Sequence, residues 1–280
     1  MKNVTKLEKM HRELVHDELT IEKKYHMYEA AVQSPEGEIE ILYDCYKKLR
    51  KKNPKILRED FCGSSALSSA WVKADKSHYA YGVDLDLAPL TFALNHHIEP
   101  MSDNQKKRIK LHCADVLTAE TPLADIVAAL NFSYYIFKSR EQLKEYFISA
   151  YKHCKKDGIF FIDLFGGIDA QRQTEEKSDR GDFYYYWDCL SFNPIDHHVQ
   201  FAIHFKSKKA NSKRLENVFF YDWRWWTMPE LRDLLIEVGF KNIHALWEGD
   251  DGKGGGNGEF TPTTKEENCE SWIAYLAACK

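Results

Sequence analysis

The 280-residue chain has no C-x-x-C pair, no excess of positive charge, no apolar run of membrane-spanning length and no internal repeat. Each absence excludes a class of protein. Its seven cysteines (Cys45, Cys62, Cys113, Cys154, Cys189, Cys269 and Cys279) are odd in number and scattered. That pattern argues against a disulfide frame or a zinc ribbon and reads as reduced thiols in a cytoplasmic protein. The formal net charge of −4 offers no broad attraction to a phosphate backbone or an anionic membrane, so neither nucleic acid nor membrane is expected as a partner. Lysine and arginine do cluster over residues 47–52, but there they close a helix, where cations favour the macrodipole. Residues 1–11 are polar and lack the apolar core of a signal peptide. The pairs His96-His97 and His197-His198 lack the i,i+4 spacing that sets two imidazoles on one helix face, and no metal is expected.

What is present alternates. Ser34-Pro35 opens a helix, and Ile39, Leu42, Tyr43, Tyr46 and Leu49 recur along it at helical spacing. Strands are predicted over residues 55–60, 79–85, 109–113, 125–130 and 159–164. The fourth is almost wholly apolar, as a strand buried on both faces should be. A small-residue turn, Cys62-Gly63-Ser64-Ser65-Ala66, separates the first strand from a helix carrying Leu67, Ala70 and Trp71. Ser139-Arg140-Glu141-Gln142 and Thr227-Met228-Pro229-Glu230 are capping boxes for two more helices, and Gly239 ends the second. The order implies a parallel sheet with helices on both faces.

After the fifth strand the pattern changes. Residues 183–226 hold over a third of the chain's aromatic residues, in runs that read as antiparallel strands. Residues 243–247 and 272–278 read as the last two strands. The glycine-rich residues 249–258 between them lack a phosphate loop's G-K-[ST] and read as a flexible connection. The expected fold is thus α/β: a Rossmann-like, seven-stranded, mostly parallel sheet with an antiparallel β insert after strand five. Residues 1–54 are expected as a helical cap and 55–280 as the main domain.

Three acids stand at the ends of successive strands: Glu59, Asp84 and Asp115. Ligands of open parallel sheets bind outside the carboxyl ends of the strands. An acid after strand two, beyond a small-residue turn, can accept hydrogen bonds from both hydroxyls of a ribose. The turn keeps a single glycine, Gly63, where a dinucleotide loop needs several to admit a pyrophosphate. S-adenosylmethionine has a ribose and an adenine but no phosphate, so the turn favours it over a nicotinamide cofactor.

At these residues the chain resembles the class I S-adenosylmethionine-dependent methyltransferases. Leu57 to Ser68 matches the family's first motif, an acid followed by a turn. Tyr81-Gly82-Val83-Asp84-Leu85-Asp86 resembles the second, whose acid holds the ribose. Cys113-Ala114-Asp115-Val116 resembles the third, whose acid meets the adenine amino group and whose next N–H meets the ring. Residues 125–132 resemble the fourth, which borders the reactive end. Phe61 and Ser65 stand where the family usually has glycine. The phrases Arg58-Glu59-Asp60-Phe61-Cys62-Gly63, Asn131-Phe132-Ser133-Tyr134 and Tyr221-Asp222-Trp223-Arg224 resemble an uncharacterised bacterial branch.

The resemblance implies methyl transfer from S-adenosylmethionine, leaving S-adenosylhomocysteine. It implies cofactor contacts at Glu59, Phe61, Cys62, Gly63, Asp84, Leu85, Asp115, Val116, Asn131 and Phe132. It also implies that the segment holding Tyr25, Tyr28 and Gln33 closes over the cofactor. Asn131 and Tyr135 are candidates near the chemistry; Tyr134 and His204 are further candidate bases. The aromatic insert reads either as a hydrophobic cover or dimer surface, or as a cation-tolerant lid over the acceptor. On the second reading Tyr28, Tyr185, Trp187 and Trp225 contact a small-molecule substrate. Two other functions stay open: a non-catalytic S-adenosylmethionine sensor and a nicotinamide-dependent oxidoreductase.

Overall fold

The computed structural model describes residues 19–253 and 255–280, so the first 18 residues of the predicted cap and Gly254 lie outside the described residues. The described residues divide into two compact units, 34–170 with 226–280 and 19–33 with 171–225.

The larger unit is built on one sheet. Its parallel strands are β1 (Ile56–Asp60), β2 (Tyr79–Asp84), β3 (Ile109–Cys113), β4 (Ala124–Ala129) and β5 (Cys154–Gly166). Three antiparallel strands, β10 (Lys241–Asp250), β11 (Gly256–Thr263) and β12 (Trp272–Cys279), complete it. The order is β11-β10-β12-β5-β4-β1-β2-β3. Sequence reading predicts seven strands; there are eight, because β10 and β11 form a hairpin. The connection read as flexible is its turn: the Lys253 and Gly255 N–H groups both donate to Asp251 Oδ1, at 2.7 and 3.0 Å. Every residue of β4 is buried. In β5, Phe160 and Phe161 are both fully buried, which a period of two allows only if each face is covered.

Helices supply the cover. On one face α2 (Pro35–Arg50) and α3 (Ala66–Ala74) bring Leu42, Tyr46, Leu67 and Trp71 into the cluster that holds Phe161. On the other, α6 (Arg140–His153) and α7 (Met228–Val238) flank Phe160, whose ring lies 5.7 Å from Phe147 and 5.6 Å from Phe240. Both predicted capping boxes form, Ser139 with Gln142 and Thr227 with Glu230. Gly239 ends α7 at φ 117°. The short helices α4 (Leu87–Ala93) and α5 (Asp103–Lys106) follow β2.

The smaller unit is a second sheet in the order β6-β7-β8-β9: β6 (Glu175–Asp179), β7 (Phe183–Phe192), β8 (His198–Ser207) and β9 (Arg214–Arg224). Alternation sorts its side chains. Phe183, Tyr185, Trp187, Ile203, Phe205 and Phe219 pack with Met27 and Ala31 of α1 (Ile21–Val32). The opposite face carries Tyr184, Tyr186 and His204, with Lys177 over Tyr184 at 3.7 Å and Arg214 over Tyr186 at 4.1 Å. α1 belongs with the insert and α2 with the large sheet, because α1 has its apolar partners in β8 and β9.

Candidate cofactor site

The strand order reverses at β1, which pairs with β2 on one side and β4 on the other. A crevice outside the strand ends is expected at such a reversal, and the loops there hold the acids singled out above. The turn after β1 is tight. Phe61, Gly63 and Ser65 all have positive φ, at 57°, 51° and 58°. A Cβ added at Gly63 would meet nothing within 4 Å, so that backbone borders open space. Cys62 faces the other way. It is 1% exposed, and its Sγ fills the room left by Gly82, where a Cβ would come within 2.9 Å of it. Burial pushes its thiol well up, which disfavours the thiolate a nucleophile requires.

Asp84 joins two of these loops. One carboxylate oxygen accepts the Gly63 N–H at 2.8 Å and the other the Asp86 N–H at 2.8 Å. It is half-buried, and burial raises its pKa. Beside it Leu85, an apolar side chain, is 72% exposed. The Ala114 N–H donates to the Asp84 carbonyl at 2.9 Å, which places the loop after β3 next to the loop after β2. There Asp115 is exposed, and one of its oxygens accepts the Leu117 N–H at 2.9 Å.

Glu59 is held inside. Its Oε2 accepts both the N–H, at 2.9 Å, and the hydroxyl of Ser68 in α3. Burial, the dominant cause, pushes it up to about 7. Two further carboxylates are raised in the same unit. Asp163 on β5 is pushed by burial to about 7, and half-buried Glu38 on α2 to about 8, by burial first and then by Asp163 and Glu59. The sequence reading missed both. Asp163 sits in an apolar strand, and its role appears only across 31 and 32 residues of chain. It accepts the Asn131 N–H at 2.7 Å and the Phe132 N–H at 2.9 Å. Those two consecutive residues have φ of 57° and 58°, a conformation that L-residues other than glycine rarely adopt. The buried carboxylate holds the loop after β4 in that shape.

The candidate bases fare differently. Tyr134 and Tyr135 are fully buried. The Tyr134 hydroxyl donates to the Asp163 carbonyl at 2.7 Å and the Tyr135 hydroxyl to the Trp226 carbonyl at 3.4 Å. Burial raises both phenols, which disfavours the deprotonated form a base requires. His204 is buried in the smaller unit, where Nδ1 accepts the Asn217 N–H at 2.8 Å.

Three of the four substrate candidates, Tyr28, Tyr185 and Trp187, pack against one apolar cluster of the smaller unit. Tyr28 packs on Phe219 at 4.6 Å, and Tyr185 on Phe205 at 6.0 Å. Trp187 stacks on Phe201 at 4.6 Å. Trp225 is apart from them, with His197 at 5.3 Å and Phe192 at 6.2 Å.

The fold is shared with solved S-adenosylmethionine-dependent methyltransferases. Three solved structures carry the comparison. An S-adenosylmethionine-dependent methyltransferase from Clostridium acetobutylicum is 18% identical, with 91% of this chain and 97% of that one covered at a TM-score of 0.64. The amino pentose methyltransferase CalS10 of Micromonospora echinaspora, solved with S-adenosylmethionine bound, is 12% identical over 94% of this chain and 99% of that one, TM-score 0.64. The sugar N-methyltransferase KedS8 of a Streptoalloteichus species is 13% identical over 95% and 96%, TM-score 0.62. No protein-family model matches the chain, and no curated protein does.

Proposed function

We propose that this chain is an enzyme that transfers the methyl group of S-adenosylmethionine to a small-molecule acceptor. The observation that carries the reading is the joining of three adjacent loops at the sheet's reversal, which bear Gly63, Asp84 and Asp115. The residues fit the group. The open side of Gly63 admits the amino-acid tail. The Asp84 carboxylate suits two ribose hydroxyls, and exposed Leu85 offers the adenine an apolar surface. Asp115 and the Val116 N–H suit the adenine edge. Among the described residues no phosphate-binding loop of several glycines is present in the first turn, where Ser64 and Ser65 are buried side chains. That favours a cofactor without phosphates over a nicotinamide.

When bound, S-adenosylmethionine supplies an electrophilic methyl group on a sulfonium. The protein's part is to hold it, to align a nucleophile opposite the sulfur and to exclude water. Asn131 and Phe132, shaped by Asp163, stand at the end of β4 where the family's reactive end lies. The sugar N-methyltransferase KedS8 and the amino pentose methyltransferase CalS10 among the structural neighbours support an amine nitrogen as the nucleophile. A neutral amine needs no general base, in keeping with the burial of Tyr134 and Tyr135.

Calorimetry with S-adenosylmethionine, S-adenosylhomocysteine and NADH tests the cofactor. Binding of the two sulfur compounds with no added metal is expected. Binding of NADH alone overturns the proposal. Release of S-adenosylhomocysteine in a metabolite pool separates an enzyme from a sensor.

A further inference from the structure

Arg58, on β1 immediately before Glu59, is fully buried. A buried guanidinium must have its donors satisfied. Its Nε donates to Asp60 Oδ1 at 2.7 Å, within an ion pair whose two side chains are wholly enclosed. The other oxygen of Asp60 accepts the Tyr146 hydroxyl of α6 at 3.1 Å. The guanidinium's remaining bonds all go to one short stretch after β3. Nη1 donates to the Ala119 carbonyl at 2.9 Å and the Thr121 hydroxyl at 3.0 Å. Nη2 donates to the Val116 carbonyl at 3.2 Å. Ser149 on α6, also buried, reaches the same carbonyl with its hydroxyl at 2.9 Å. The stretch is otherwise held by its own turn bonds, from Leu117, Thr118 and Ala119 back to Asp115.

We infer that Arg58, backed by Asp60 and Ser149, is a positioning residue that fixes the turn of Asp115 and Val116 and thereby sets how the site discriminates among purines. The inference rests on the function proposed above, because it takes Asp115 and the Val116 N–H as the groups that meet the adenine edge. The physical ground is directional. A planar fork holding three acceptors at fixed angles leaves the Val116 carbonyl one orientation, and a second donor from α6 pins it from another side. Asp115 is exposed and anchored by only one carboxylate oxygen to the backbone, so its place depends on the turn beneath it. A lysine at residue 58 could keep the charge opposite Asp60 but could not make the fork.

The test uses S-adenosylhomocysteine and S-inosylhomocysteine, which differ at the purine edge, with the full chain and calorimetry. The unaltered protein is expected to prefer the adenosyl compound. Arg58→Lys is expected to lower affinity for S-adenosylhomocysteine about tenfold while changing affinity for the inosyl compound little, so that the preference collapses. Ser149→Ala removes one bond without unpairing a charge and is expected to move the preference the same way by about threefold. It serves as the second variant should Arg58→Lys fail to fold. Folded variants that keep the full preference, even with a lowered melting temperature, would show Arg58 and Ser149 to be structural only and overturn the inference. An unaltered protein that binds neither compound overturns the function itself, which is a separate result.

Discussion

The two units use buried polar groups in opposite ways. Among the described residues, His204 is the one buried polar side chain of the unit that contains the aromatic sheet. Arg58, Glu59, Asp60, Asp125, Ser149 and Asp163 are all buried in the larger unit. Most of them shape the loops at one end of its parallel strands: Glu59 the start of α3, Arg58 the turn after β3, Asp163 the turn after β4. Burying a charge is costly unless it is paired or hydrogen-bonded, so their concentration at one end marks where the fold spends stability on shape. The aromatic sheet instead covers one face with rings and α1 and leaves its ionic pairs, such as Arg214 with Glu175, on the other. One unit gathers its buried polar groups under the loops at one end of its strands, and the other is organised around its own apolar layer.

The strongest way to break this contrast is through the apolar layer. Phe205 is fully buried between Phe183 and Tyr185. Phe205→Ala is expected to cost about 3–5 kcal/mol of stability, the usual loss for a buried phenylalanine. Affinity of the folded protein for S-adenosylhomocysteine should stay within about twofold. Denaturant melts and calorimetry read the two effects, and a parallel loss of affinity would tie the sheet to the cofactor.

The acids of the larger unit set the second expectation. In the folded chain Glu38 rises to about 8, and Glu59 and Asp163 to about 7, above ordinary carboxylate values near 4. Folding therefore takes up protons between the two ranges, and stability contributed by these groups falls as pH rises. The ligand-free protein should melt several degrees lower at about pH 8 than at about pH 5.5, and Glu38→Gln should flatten part of that slope. A melting temperature that rises steadily across this range would mean the three carboxylates are ionised in the folded state.

The third separates the site from its scaffold. Asp84→Ala removes the carboxylate proposed to hold both ribose hydroxyls, and charge-assisted hydrogen bonds are worth about 1.5–3 kcal/mol each. Affinity for S-adenosylmethionine should fall at least tenfold, about 1.4 kcal/mol. Asp84→Asn keeps an acceptor for the Gly63 N–H and should fall less. Unchanged affinity in folded Asp84→Ala would place the ribose elsewhere.

Local signals were legible in the sequence. β3 runs over the predicted residues, the capping boxes at Ser139 and Thr227 form, and Asp84 and Asp115 stand where the spacing places them. Each depends on neighbours within a few residues. The missed features depend on distant ones. β6 is Glu-Glu-Lys-Ser-Asp, a charged edge strand with no apolar alternation, which exists because β7 offers it a partner. β11 carries glycines and a proline and is likewise an edge strand, where proline is tolerated. Asp163 hides in an apolar strand and declares itself only through Asn131 and Phe132. Arg58 stands in the sequence as one residue of a predicted strand, and only the folded chain shows it buried and donating to the Val116 carbonyl.

The smallest expected effect bears on what the aromatic sheet does beyond packing. Tyr185 is half-buried, and its hydroxyl lies in the field of Tyr28, with burial the main cause of its raised pKa. Tyr28 in turn bonds with Tyr221, so three phenols gather on the face that α1 covers. Tyr185→Phe keeps the ring against Phe205 and removes only a hydroxyl. Stability should change by about 1 kcal/mol or less, and affinity for S-adenosylhomocysteine should not change. If the phenols serve the acceptor, turnover measured as S-adenosylhomocysteine release in a protein-free metabolite pool should fall about threefold. The argument is that a packing role is carried by the ring and a recognition role by the hydroxyl, so this substitution divides them where Tyr185→Ala would not. Turnover equal to that of the unaltered protein would leave the rings of this sheet as core alone, and the acceptor would then be sought at the loop of Asn131 and Phe132.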